Sequence, residues 1–156
     1  LLQTASGADM HLNAIVIAIL AATVSALPGY AQSEEDVMAQ IEAIHGDSVG
    51  FGEAFGLLQD AFLFGDPTTI ADLGAYPFEV AANGELYDIF EPQDLIDNFD
   101  TLLTQDTIDA LSSQDFDDLI VTSEGVGFGN GVLWMSNICT DDSCAETYWG
   151  IIRINN

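Results

Sequence analysis

The sequence has no lysine and a single arginine, Arg153, against 26 aspartates and glutamates in 156 residues, a formal net charge of −25. Nucleic-acid binding depends on basic side chains that neutralise phosphates, and one arginine cannot do that. An anionic membrane surface repels such a chain for the same reason. A P-loop and a Schiff-base enzyme each need a lysine. Histidine is scarce too, with only His11 and His45. His45 alone cannot build a histidine-rich metal site, and no recognisable nucleophile elbow stands ready to complete a Ser-His-Asp triad with it. Its place at the end of a helical run suits a cation at the helix dipole instead. There is also no apolar run of the 18 or so residues that a spanning helix needs.

What is present is a core. Hydrophobic residues make up 49 % of the chain, which excludes a disordered tail, and the length suits one domain with a short extension. The acidity points to partners that are cations, basic proteins or small neutral molecules, and to a medium whose salt screens self-repulsion.

From Met10 the chain reads M-H-L-N-A-I-V-I-A-I-L-A-A-T-V-S-A-L-P-G-Y-A. The apolar stretch Ala14 to Val24 has the length of a signal h-region, and Gly29-Tyr30-Ala31 resembles an A-x-A cleavage site. The expected division is therefore an upstream reading-frame artefact at 1–9, a signal peptide at 10–31 cleaved after Ala31, and one acidic domain at 32–156. The expected location is secreted or periplasmic, with no membrane association after cleavage. The two cysteines, Cys139 and Cys144, enclose the turn formers T-D-D-S. Their spacing is wider than the C-x-x-C of redox catalysis, and zinc would need two more ligands. In an oxidising compartment they predict a structural disulfide.

Start and stop signals predict helices first. Ser33 and Asp36 form a capping-box variant ahead of Val37, Ile41 and Ile44, with Gly46 as the stop. Asp47 caps a second run, where Phe51, Ala54, Phe55, Leu58, Ala61 and Phe62 make one face and Gly65 closes. Asp66-Pro67 opens a third, with Ile70 and Leu73 as its buried pair. Pro77 ends helical character. Phe78 to Ala82, Asn83-Gly84 and Glu85 to Phe90 read as a hairpin around a type I′ turn. Glu91-Pro92 starts a helix striped by Leu95, Ile96, Phe99, Leu102 and Leu103, followed by a short sequel with Ile108 and Leu111. The rest is strand-like: Leu119 to Ser123, Val126 to Phe128, Val132 to Cys139 and Thr147 to Asn155. Gly125, Gly127, Gly129 and Gly131 alternate through one hairpin; no helix follows them, so bulge and turn geometry explains them better than a phosphate loop. The fold class is α+β, with N-terminal helices on a strongly curved antiparallel sheet.

The stretches F-G-E-A-F-G-L-L-Q-D-A-F-L-F-G-D, I-A-D-L-G-A-Y-P-F-E-V, D-L-I-D-N-F-D, G-V-G-F-G-N-G-V-L-W-M-S and Y-W-G-I-I-R-I-N-N, in this order, resemble the nuclear-transport-factor-two-like (cystatin-like, SnoaL-like) superfamily over about residues 47–156. The resemblance implies a cone, in which a bent sheet wraps the helices around a pocket. It hosts enzymes and binding modules alike, so function has to come from the site.

Ligand-pocket candidates are Tyr87, Asp88, Trp134, Tyr148 and Trp149, all on predicted strands. Strand alternation places Tyr148, Gly150, Ile152 and Ile154 on one face and Trp149, Ile151, Arg153 and Asn155 on the other. Asp115, Asp117 and Asp118, with Asp141-Asp142, are clustered carboxylates of the kind calcium takes, but neither cluster has the ligand rhythm of an EF-hand. No cofactor is expected. The leading expectation is non-enzymatic binding of a small apolar ligand or a partner protein. The alternatives are a small-molecule isomerase, dehydratase or hydrolase using a pocket carboxylate and Tyr, and a calcium-dependent surface module.

Overall fold

Each early helix begins where a short polar side chain replaces a missing backbone partner. In the computed structural model, which describes residues 32–156, α1 spans Glu34–His45, with the Ser33 side chain accepting from the Asp36 amide and the Asp36 carboxylate accepting from the Ser33 amide. The Ser33 hydroxyl, and after it the Ser33 amide, donate to the Asp36 carboxylate and hold it below its ordinary range. α2 spans Ser48–Phe64, capped by Asp47 Oδ1 on the Gly50 amide at 2.8 Å. α3 spans Pro67–Asp72, with Asp66 accepting from the amides of Thr68 and Thr69. Gly46 and Gly65 end α1 and α2 at φ 75° and 64°, a left-handed conformation that glycine adopts without a Cβ clash. The expected signal peptide and the stretch before it lie outside the described residues. No helix among the described residues is long and apolar enough to cross a membrane.

β1 (Gly74–Ala82) and β2 (Glu85–Ile89) form the expected hairpin, with Asn83 and Gly84 at φ 56° and 79° as a type I′ turn requires. β1 begins before the expected Phe78. Its first residues pair with the last strand out of step, Gly74 opposite Ile151 but Glu79 opposite Arg153. Within that irregularity Tyr76 turns back to donate to the Ala71 carbonyl at 2.6 Å. Burial, with the charges of Asp72 and Asp94, pushes its phenol up to about 12. The helix expected from Pro92 to Leu103 is two pieces, α4 (Pro92–Asp97) and α5 (Phe99–Leu102). It breaks at Asn98, whose side-chain amide takes the Asp94 carbonyl at 2.9 Å, a local bond that competes with the helical ladder. α6 (Gln105–Ser112) and a 3-10 turn over Phe116–Asp118 lead into β3 (Ile120–Thr122), β4 (Gly125–Phe128), β5 (Leu133–Cys139) and β6 (Thr147–Asn155).

The six strands make one open sheet in the order β2-β1-β6-β5-β4-β3. Every neighbouring pair is antiparallel except β1 with β6, which are parallel, so the sheet is mixed rather than wholly antiparallel as expected. Short turns enforce antiparallel pairing only on strands adjacent in sequence, and β1 and β6 are joined through most of the domain.

The expected alternation of β6 also changes midway. Trp134 faces Arg153 while Met135 faces Ile151, so Ile152 is an extra residue, a β-bulge. Trp149, Ile151 and Ile154 therefore all point inward and are buried. Ile44, expected in the α1 core face, is 48 % exposed, and α3 buries Ile70 with Ala71 while Leu73 is only partly buried.

Candidate functional site

The helices cover one face of the sheet, and the space between is occupied by aromatic rings. Phe51 of α2 lies at centroid distances of 5.8 Å from Phe116, 6.0 Å from Phe128 and 4.9 Å from Trp149. Phe55 extends the set, 4.9 Å from Phe116 and stacked at 5.8 Å on Phe128. At its rim, the Trp149 indole N–H donates to the Asp47 carbonyl at 3.0 Å, and His45 packs edge-on against the Trp149 ring. Trp149, 4 % exposed, is thus a core residue and not a pocket wall.

The other candidates separate by face. Trp134 is on the uncovered face, its ring beneath the Arg153 guanidinium at 5.4 Å and its N–H bonded to the Gly131 carbonyl. Tyr148 is 42 % exposed at the far end of β6. Tyr87 and Asp88 do share a site, a groove of about 480 Å³ between β2 and the α4–α5 pair. Leu86 and Phe90 form its outer lip, and Asp94, Thr101 and Leu102 its helical wall. Within it the two point to opposite faces: Tyr87 opposes the buried Val80, Asp88 the exposed Glu79. The Tyr87 hydroxyl donates to Glu85 at 3.2 Å, which raises its phenol above the ordinary value. A base and an oxyanion donor must converge on one reacting atom, and these two side chains diverge.

Leu86 and Phe90, 70 % and 67 % exposed, are groove residues that the sequence reading passes over. The signal was there: Ile89 faces inward, so strand alternation sends Leu86 and Phe90 to the side where polar residues are the norm. Asp94 is found only by the fold, which turns its carboxylate back onto the amides of Phe90 and Glu91 at 3.0 and 3.2 Å.

Asp115, Asp117 and Asp118 bring carboxylate oxygens within 4.8 Å of one another, all on exposed residues. Asp115 and Asp118 line a depression together with Gln114, Ser113 and Asn130. Gln114 is already engaged, accepting from the Gly129 amide and donating to the Asp115 carbonyl. The chain also holds a G-x-S-x-G string, Gly46-Asp47-Ser48-Val49-Gly50, but it joins two helices instead of a strand and a helix. Ser48 Oγ donates to Glu42 and His45 Nε2 meets the Thr122 carbonyl at 2.9 Å, so the string is not a nucleophile elbow.

Cys139 and Cys144 form the expected disulfide across the β5–β6 hairpin. Closing so short a loop stabilises by about 2 kcal/mol in the chain-entropy model. Replacing both cysteines with serine is expected to lower the unfolding free energy measured by urea titration by that amount, while amide shifts in the groove stay unchanged. Comparison with family models, curated proteins and solved structures finds no match to this chain.

Proposed function

We propose that the domain is a non-enzymatic binding module of the nuclear-transport-factor-two-like cone type, exported to an oxidising compartment, and that it binds a partner protein through its surface. The element order of helices, hairpin, helices and four strands supports the cone reading. The disulfide supports the compartment. One observation carries the choice of partner: the Phe51, Phe55, Phe116, Phe128 and Trp149 rings occupy the place where a cone would hold a small apolar ligand. The divergence of Tyr87 and Asp88 speaks against the isomerase alternative, and the acidic cluster on its own favours calcium no more than any other exposed carboxylates do.

The test is a titration with lauric acid and with indole, followed by the aromatic NMR signals of Phe51, Phe128 and Trp149. The expected result is no saturable shift in any of them. A saturable shift centred on Trp149 would replace the surface reading with an interior apolar ligand.

A further inference from the structure

The two edges of the sheet are not alike. β3 is three residues long, and side chains reach its carbonyls: His45 Nε2 meets Thr122 O at 2.9 Å, and Gln32 Nε2 donates to Leu119 O just before it at 3.5 Å. Short, covered edges are how proteins prevent unwanted strand pairing. β2 is the other edge. The two-residue turn makes Ala82 and Glu85 a hydrogen-bonded pair, so alternation bonds Val80 to Tyr87 and Phe78 to Ile89. Leu86, Asp88 and Phe90 then direct their backbone groups away from β1. The Phe90 amide is taken by Asp94, as that geometry requires. The N–H and C=O groups of Leu86 and Asp88 have no partner among the described residues, and they open on the groove.

From this geometry, and resting on the binding-module reading above, we infer that the groove accepts an extended segment of a basic partner protein, which adds to β2 as a seventh strand. Main-chain bonds to Leu86 and Asp88 hold the segment, as in other cases of strand addition. Its alternating side chains meet two different surfaces. On the uncovered face Asp88 stands between the exposed Leu86 and Phe90, with Glu79 across the ladder from it and Arg153 beyond Glu79 on β6. A long basic side chain lays its stem on the two apolar residues and its charge on Asp88, and Asp94 adds a second carboxylate to the groove. On the helical side lie Tyr87, Ile89 and Leu102. Lysine or arginine at every second position, with apolar residues between, satisfies both. A second copy of this chain does not fit, since its own edge brings the same carboxylates.

The probe is a capped octapeptide of alternating valine and lysine, added to the intact protein. Saturation is expected to slow exchange of the Leu86 and Asp88 amide hydrogens by at least about tenfold, because both become hydrogen-bonded. Two backbone bonds at about 1 kcal/mol each predict a loss of affinity on the order of tenfold or more for a peptide N-methylated on its bonding edge. Asp88→Pro removes an outward N–H without touching the β1 ladder and should weaken binding similarly, whereas Asp88→Asn should weaken it only about threefold by loss of charge. If groove signals shift but N-methylation and Asp88→Pro have no effect, strand addition is overturned while surface binding stands. Shifts confined to the Phe51–Trp149 interior would overturn both. No binding of the valine–lysine peptide at millimolar concentration overturns strand addition. So does equal affinity for a valine–glutamate peptide, or self-association through β2 that Asp88→Pro abolishes.

Discussion

Phe51→Ala is expected to cost about 3–5 kcal/mol of stability, the range for deleting a buried aromatic ring whose surroundings collapse only partly. Phe51 is fully buried, and its ring is shared by the neighbours of two helical segments and two strands: Phe55 on its own helix, Phe116 on the 3-10 turn, Phe128 on β4 and Trp149 on β6. None of these rings can follow the cavity without leaving another partner. At roughly 4 °C per kcal/mol for a domain of this size, the melting temperature should fall by about 12–20 °C. Phe64, at the end of the same helix and 78 % exposed, supplies the control: Phe64→Ala should change stability by no more than about 0.5 kcal/mol. Urea unfolding of both variants, with the fluorescence of buried Trp149 as reporter, measures the contrast. Equal effects would mean that the aromatic set is not the keystone of the core, and the argument against an interior ligand would fall with it.

That contrast also shows where sequence reasoning runs out. The caps at Ser33, Asp47 and Asp66, the stops at Gly46 and Gly65, the Asn83-Gly84 turn and the Cys139–Cys144 bridge are legible because each is decided within a few residues. The inward face of α2 was legible from its three- and four-residue spacing, although Val49, Leu57, Leu63 and Phe64 give the helix a second apolar face that solvent sees. Features that depend on a distant partner were not legible. The parallel meeting of β1 and β6 involves residues more than 70 positions apart, as in Val80 with Ile154. The bulge at Ile152 sends Ile154 inward against simple alternation, and only the register with Trp134 and Met135 reveals it. The candidate site belongs to this second kind. Tyr87 and Asp88 could be named from their residue types, but the groove exists because Asn98 breaks a helix and Asp94 ties its first turn to the end of β2.

Adding sodium chloride from about 0.1 to 1 M is expected to raise the melting temperature by about 8–16 °C, because the Debye length falls from roughly 10 to 3 Å over that range. All of the 26 carboxylates except Asp9 follow Ala31, and only Arg153 opposes them. Two unit charges 10 Å apart in water repel by about 0.4 kcal/mol before screening. A few dozen such pairs, screened about threefold at the lower salt and almost completely at the higher, release several kcal/mol. The unfolded chain keeps part of that repulsion, which leaves a net gain of about 2–4 kcal/mol. Chloride distinguishes this from the general strengthening of apolar burial that sulfate produces. Guanidinium chloride gives a sharper form of the same test, since it is both salt and denaturant. Its first few tenths molar should raise the melting temperature before higher concentrations lower it, whereas urea should lower it from the start. A melting temperature indifferent to sodium chloride, with guanidinium and urea acting alike, would mean that the carboxylates are spaced widely enough for water alone to screen them, and that the acidity is no adaptation to salt.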